Sequence, residues 1–429
     1  MNSKKVVLLN YYFPPNTGVG GRRWLKLCKY LSQKNVEVTV FTPEKFILKN
    51  QPSWQNEVNH IKNLKVIEVK DSYPKILLGV PANFIEKLKY KLSDIFVDIF
   101  AKGNKYDAST FWNPIVQNQV KKYLIENKID NLIVSGTPFN YFYFAAQLKQ
   151  ELPNLNLVLD FRDLWIDSMG SFGENVRKFQ SKKRYELECE YEQFSIEHSN
   201  HILCASTDIH DILSSKYKTF KDKFHVINNG FDPQDVFISN DSNSSIYQSN
   251  KKSVIVNIGT INCSRDYYTY FINALSEIKS INSELYHSIE FNFYGNTNLQ
   301  FENDVKAANI DAIRFYGKVG TDEVKNILKA ADMVLYIKRE EELVNSFGSK
   351  FFEYLCARKY ILILSPKGKV TEYISNNSIG FVMQKETVWN DLVKALNDFR
   401  NGVIKFNHTL DISEFSCDTI SKRVNSLLK

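Results

Sequence analysis

No apolar run in this chain reaches 18 residues, which excludes a membrane-spanning helix by length. The six cysteines (Cys28, Cys189, Cys204, Cys263, Cys356 and Cys417) include no CxxC pair, which argues against a zinc site. Most fall in apolar runs and are expected as buried thiols. No block of Lys and Arg interleaved with aromatics occurs, which argues against a nucleic-acid surface. Met1-Asn2-Ser3-Lys4-Lys5 passes straight into a short strand, unlike a signal peptide, so the expected compartment is the cytoplasm.

What is present fits a globular protein of more than one domain. The chain has 429 residues, 43% of them hydrophobic and 14% aromatic, enough for two or three cores. Its net charge of +7, from 55 Lys and Arg against 48 Asp and Glu, suits anionic ligands such as nucleotides, or an anionic membrane surface.

Two series of alternating strands and helices can be read. The first opens with the strand Val6 to Asn10 and a helix from about Arg22 to Gln33, then the strand Val36 to Phe41. Later come a strand from Asn131 to Ser135, a helix near Phe139 to Gln150 and a strand from Leu155 to Asp160. A long polar helix near Lys182 to His198 precedes a strand from Ile202 to Ala205. A Ser- and Asn-rich stretch from Ser239 to Lys252 interrupts the pattern. The second series has strands near residues 254 to 259, 289 to 294, 313 to 316, 333 to 337, 360 to 364 and 380 to 383. Continuous apolar strands alternating with helices form parallel sheets covered on both faces. The expected fold class is therefore α/β, with two doubly wound Rossmann-like domains and a cleft between them. Ligands of such sheets sit beyond the carboxyl ends of the strands. The segment from Phe84 to Lys102 is apolar on one face with Lys on the other. It reads as an amphipathic helix packed on the core; the alternative is a surface helix that touches anionic lipid or a lipid-linked acceptor.

The segment from Asn345 through Ser346, Phe347, Gly348, Ser349 and Lys350 to Glu353 joins a buried strand to an apolar helix. Unpaired N–H groups and a helix dipole at such a junction suit a phosphate, and Lys350 adds a mobile positive charge. Glu353, one turn in, is placed to accept hydrogen bonds from ribose hydroxyls; its other reading is a carboxylate favoured by the dipole alone. Four further loops follow strands. Tyr12 to Arg23 holds Gly18, Gly20 and Gly21, which would let backbone approach a ligand, with Arg22 and Arg23 at the helix start; it lacks the GxGxxG dinucleotide fingerprint. Ser135 to Asn140 is small at its start, and Asn140 offers both donor and acceptor. Asp160-Phe161-Arg162-Asp163-Leu164-Trp165 reads as a structural Asp160–Arg162 pair, with Asp163 projecting toward a sugar hydroxyl. Gly259 to Asp266 places Arg265 where its fork could hold the anion that Lys350 faces, or where it is a solvated loop charge.

These segments, in this order, resemble the GT-B glycosyltransferases and within them family 4, the retaining nucleotide-sugar enzymes. Tyr12-Phe13-Pro14-Pro15 with its Gly-rich loop is similar to that family's first loop. Asp160 to Trp165 resembles the Asp–aromatic–Arg–Asp–x–Trp signature of one branch. Val226-Ile227-Asn228-Asn229-Gly230-Phe231-Asp232 is similar to its Pro-Asn-Gly-x-Asp segment, with Asn228 in place of Pro. Gly259-Thr260 with Arg265-Asp266 resembles the phosphate-binding Arg segment. Glu353 matches the second glutamate of the Glu-x7-Glu signature; Asn345 stands where the first would be, with Glu341 and Glu342 out of register.

The resemblance implies an N-terminal acceptor domain over residues 1–220, completed by a returning helix within 412–429, and a donor domain over 221–411. It implies a donor site of Gly18, Gly20, Gly259, Lys318, Asn345, Phe347, Gly348, Ser349 and Glu353. Arg265, Lys350 and Asp163 would act at the reaction centre, with Asn140 and Arg22 on the acceptor side. The implied reaction is front-face retaining transfer from a UDP- or GDP-linked sugar to a glycan or lipid-linked acceptor. No cofactor and no metal are expected, in keeping with the lack of a DxD-type pair at a strand end. Peripheral contact with the inner face of the plasma membrane is a further expectation. Two other readings remain: a catalytically weak subunit of a glycosylation complex, and a nucleotide-sugar 2-epimerase of GT-B architecture.

Overall fold

The computed structural model describes residues 3–16, 19–44, 54–167, 181–235, 252–259, 261, 265–338 and 345–429. Gly18, Thr260, residues 262–264, Glu341, Glu342 and the stretch from Ser239 up to Lys252 therefore lie outside the described residues. The chain divides into two compact units, Met1–Asn228 with Cys417–Lys429, and Asn229–Ser416.

The first unit is built on seven strands: β1 (Lys4–Leu9), β2 (Val36–Pro43), β3 (Leu64–Val69), β4 (Asn131–Ser135), β5 (Asn156–Phe161), β6 (His201–Cys204) and β7 (Phe224–Val226). All pairings are parallel, in the order β3-β2-β1-β4-β5-β6-β7. The central strands β4 and β5 are buried along their whole length, as continuous apolar runs between helical layers must be. The edge strands β3 and β7 were not anticipated. Edge strands need only one apolar face, and β3 (Leu-Lys-Val-Ile-Glu-Val) is half-exposed while β7 has three residues.

The second unit has β8 (Ser253–Ile258), β9 (Ile289–Tyr294), β10 (Ile313–Gly317), β11 (Met333–Ile337), β12 (Tyr360–Leu364) and β13 (Gly380–Met383). They are parallel in the order β10-β9-β8-β11-β12-β13. Apolar clusters fill both faces of this sheet. Strand order reverses between β1 and β4 in one unit and between β8 and β11 in the other. Loops leaving the strands part there and open a crevice, so those two points are where ligands are expected.

The boundaries differ from the expected ones. The first unit runs to Asn228 rather than 220, because β7 adds an edge to its sheet. The return begins at Cys417 rather than 412, because Ile412 and Phe415 pack into the second unit's core. The helix Cys417–Ser426 then lies on the helix Val19–Gln33, with Ile420, Val424 and Leu428 beside Trp24 and Leu31. Lys4, Asn131 and Asn156, at the starts of β1, β4 and β5, bond its last residues: Lys4 Nζ donates to Leu428 O (2.7 Å) and Asn156 Nδ2 to Leu427 O (2.8 Å), while Lys429 N donates to Asn131 Oδ1 (2.9 Å). The last residues thus cover the amino ends of β1, β4 and β5.

The segment Phe84–Phe100 is one helix, but it does not pack on the core by its apolar side. Val97 is its only buried residue, so the reading of an ordinary packed helix is overturned.

Candidate functional site

In the second unit, Gly259 and Gly295 follow β8 and β9 and Gly317 ends the neighbouring β10, and all have positive φ (+92°, +129° and +71°). Such backbone favours glycine. They hold one another: Gly259 N donates to Tyr294 O and Gly295 N to Gly317 O, both at 2.6 Å. A Cβ on Gly295 would stand 2.6 Å from the Gly259 carbonyl carbon. The result is a bare backbone shelf at the carboxyl end of β8, β9 and β10.

Lys350 lies over this shelf. A Cβ on Gly259 would be 2.6 Å from Lys350 Cε and 3.3 Å from its Nζ. Lys350 is the second residue of the helix Ser349–Cys356, whose N-cap is Gly348. The sheet's reversal thus carries a glycine shelf, a lysine and a helix amino end together, the elements of an anion site.

The loop before that helix is held from below. Lys338, buried at the end of β11, donates from Nζ to Ser346 O (2.8 Å). Gly348 sits against Tyr336, whose hydroxyl would be 2.6 Å from any added Cβ. The Phe347 ring packs with Phe351, Phe352, Tyr373 and Phe415, at 4.9–6.0 Å between centroids. Phe347 therefore offers only backbone to a ligand. Asn345 Oδ1 accepts from Lys369 N (2.9 Å), at the start of the helix Lys369–Asn376. Ser349 is exposed and Glu353 half-buried one turn further on. Lys318 is exposed in the loop after β10, beside Tyr316, whose ring stacks on Tyr294 (4.8 Å, 12°).

Arg265 departs from its expected place. It opens the helix Arg265–Ile281, and Asp304 grips its fork, Nε to Oδ2 and Nη2 to Oδ1, both at 2.9 Å. The guanidinium is directed to a carboxylate on the helix Leu299–Ala307, so the structure does not pair it with Lys350.

In the first unit the loops after β1, β4 and β5 come together. Asp160 is fully buried and accepts from Trp24 Nε1 (2.6 Å), Ser135 Oγ (2.8 Å) and Arg23 Nη2 (3.4 Å). Its cationic partner is Arg23, not Arg162 as the sequence suggested. Arg162 instead donates to the carbonyls of Gly136 and Thr137 (3.0 Å to the latter). Its guanidinium lies over Gly20, where any Cβ would collide with it. The missing side chain at Gly20 thus makes room for the Arg162 guanidinium. Asp163 is exposed, with Oδ2 accepting from Thr137 Oγ1 (3.3 Å). Arg22 is half-buried, its guanidinium 5.9 Å from the Trp54 ring centroid.

Asn140 is also corrected. It is buried at the start of the helix Asn140–Glu151. With its amide nitrogen toward Glu188 (3.0 and 3.2 Å to the two carboxylate oxygens), its oxygen accepts from Thr110 Oγ1 (2.8 Å). Both ends of the amide are used within the fold, so acceptor binding is not its task.

Residues 240–408 match the family model of the group 1 glycosyl transferases. The matched stretch falls within the second unit. Solved structures share the fold over the whole chain. A glycosyltransferase from Rickettsia africae is 14% identical at a TM-score of 0.61, covering 100% of this chain and 98% of its own. Anabaena Alr3699/HepE, solved in complex with UDP and glucose, is 12% identical at 0.59 over 99% and 98%. WaaG, a glycosyltransferase involved in lipopolysaccharide biosynthesis, is 15% identical at 0.55 over 99% of both chains. At such identities the likeness is one of fold, and that fold is the GT-B arrangement of two parallel-sheet units. No curated protein sequence matches the chain.

Beside the first-unit loops of this GT-B chain lies a buried acid pair that sequence reasoning missed. Asp107 accepts from Phe139 N (2.6 Å) and Asn140 N (3.0 Å), capping the helix Asn140–Glu151 from outside it. Glu188 accepts from Asn104 N (2.5 Å) and Trp165 Nε1 (2.6 Å). The only cue was that Glu188, Glu192, Ser195 and Ile196 share one face of a polar helix. Burial, and next the Asp107 charge, push the Glu188 carboxyl up to about 7 from an ordinary 4.5. Burial also raises Asp107. Between these values the folded chain holds a proton that the unfolded chain has released. The Glu188 contribution to stability therefore falls as pH rises from about 4.5 to about 7, by roughly 3 kcal/mol in all. Glu188→Gln should flatten the difference in urea midpoint between pH 5 and pH 8; an undiminished difference would remove Glu188 as its source.

Proposed function

We propose that this chain moves a sugar, with retention, from a nucleotide-diphosphate donor to a glycan or lipid-linked acceptor. The observation that carries the reading is Lys350 lying over the Gly259 shelf at the start of the Ser349–Cys356 helix. The group 1 match over residues 240–408 supports it, as does the fold shared with a protein that holds UDP and glucose.

In this reading Lys350 and the Gly348–Ser349 backbone neutralise the diphosphate, Glu353 takes the ribose, and the Lys318 loop borders the base. Asn345, short and uncharged, hydrogen-bonds the donor sugar where a glutamate would add charge. Asp163 and Arg22 orient the acceptor. The acceptor hydroxyl bonds to the anomeric carbon as that carbon's bond to the diphosphate breaks, and the hydroxyl proton passes to the leaving phosphate oxygen. No protein nucleophile enters; the residues hold geometry and offset charge. An epimerase reading draws less support. None of the seven histidines, all among the described residues, stands in a loop directly after a strand.

Thermal denaturation with UDP, GDP, ADP and CMP tests the proposal. One diphosphate should raise the melting temperature, since a ligand at 100 times its Kd stabilises by about 2.7 kcal/mol. The matching nucleotide sugar should be slowly hydrolysed with release of the same anomer. Stabilisation without turnover would favour the binding-subunit reading, and no stabilisation by any of the four would overturn both.

A further inference from the structure

The helix Phe84–Phe100 presents its apolar side to solvent. Phe84, Ile85, Leu88, Leu92, Ile95, Phe96, Ile99 and Phe100 are all among the exposed large hydrophobics, Phe84 at 80% and Ile99 at 68%, with Val80 just before them at 94%. At about 100° per residue, Phe84, Ile95, Leu88, Ile99, Leu92, Ile85 and Phe96 form one stripe about 120° wide. Lys91 and Lys87 border it on one side, and Lys89 stands about 20° beyond Phe96 on the other. All three lysines are exposed.

The rest of the helix, including Asp98 between Lys87 and Lys91, binds it to its own unit. Val97 is buried there. Asp98 receives Arg184 Nη1 (2.7 Å), Asp94 receives Lys105 Nζ (3.0 Å), and Glu86 turns back to accept from Ala82 N (2.7 Å). The carboxylates are thus engaged by the fold, and what faces outward is apolar surface flanked by cations. Scattered exposed apolar residues are ordinary; a contiguous stripe of this length marks an interaction surface.

We propose that this helix lies in the interface of an anionic phospholipid bilayer, its stripe among the acyl chains and its lysines at the headgroups. Charge complementarity selects this occupant: lysines on both borders match a surface that is uniformly anionic, and a helix of 17 residues on a folded unit lies along a membrane instead of crossing it. Among the described residues no helix is long and apolar enough to cross a membrane. The proposal goes beyond the transfer reaction and does not depend on it. It would fix the first unit at the surface where a lipid-linked acceptor resides.

Sedimentation of the full chain with vesicles tests it, using phosphatidylcholine alone or mixed with phosphatidylglycerol. The native chain should bind the mixed vesicles, and salt should weaken binding. The triple variant Lys87→Gln, Lys89→Gln, Lys91→Gln should lose on the order of 100-fold in partitioning to mixed vesicles, at about fivefold per lysine. The triple variant Phe84→Ser, Leu88→Ser, Ile99→Ser should lose at least as much on either vesicle, with its circular dichroism unchanged because all three positions are exposed. If that variant does not fold, the lysine variant decides alone. A native chain that ignores mixed vesicles overturns the proposal. So does a native dimer in ultracentrifugation that the apolar variant converts to monomer without either form binding lipid, since the stripe would then be a self-association surface. Nucleotide-sugar turnover in solution is read separately, so its loss or retention bears on the transfer reaction alone.

Discussion

Asp160→Ala should lower the stability of the first unit by about 3–5 kcal/mol, the cost of removing one member of a buried ion pair. The carboxylate, on β5, has no exposure and receives an indole and a guanidinium from the helix Val19–Gln33 and a hydroxyl from β4, so it joins three elements. Alanine would leave Trp24 Nε1 and Ser135 Oγ unpaired in the core, and Arg23 held only by other contacts, including the carbonyls of Ile227 and Asn228. Urea unfolding followed by tryptophan fluorescence isolates this unit, because Trp24, Trp54, Trp112 and Trp165 belong to it and only Trp389 to the other. Asp163→Ala, three residues on but exposed, should stay within about 0.5 kcal/mol of the native chain. A loss under about 1 kcal/mol for Asp160→Ala would show that the buried network is not what joins the three elements.

Lys350→Ala should weaken binding of the preferred nucleoside diphosphate by about ten- to a hundredfold, the equivalent of one charge-assisted contact of roughly 1.5–3 kcal/mol. Its fold should survive, since the side chain is half-buried over a glycine and supports no core. Gly259→Ala should act in the same direction for a different reason: its φ of +92° disfavours a side chain, and the new methyl would meet Lys350 Cε at 2.6 Å. Arg265→Ala should cost less than Lys350→Ala, because its fork already holds Asp304 at the surface. Calorimetric titration ranks the three. A Lys350→Ala chain with native affinity would remove the lysine from the anion site, and a larger loss at Arg265 would mean that the ligand displaces Asp304.

Much of this was written in the sequence, for a local reason. Runs such as Val-Val-Leu-Leu and Tyr-Ile-Leu-Ile-Leu are apolar on both faces, and a segment of that kind can only be an inner strand of a covered parallel sheet. Strand followed by Gly loop and helix then marked the loops at which ligands are expected, because backbone geometry and the helix dipole are properties of neighbouring residues. Gly348, Ser349, Lys350 and Gly259 stand together as that logic requires. What tertiary structure alone decided was the use of each side chain. Arg162 and Arg23 follow comparable loop signals, yet one covers Gly20 and the other pairs with Asp160; the difference lies in contacts between residues more than a hundred positions apart. Asn140 looked free and is consumed by Glu188, a residue that nothing local distinguishes from its acidic neighbours. Periodicity revealed that Phe84–Phe100 has an apolar side but not which way it points. Asp94 and Asp98, paired with Lys105 and Arg184, turn that side outward. Pattern reports which faces differ; only packing and charge pairing across the fold determine which of them meets the core.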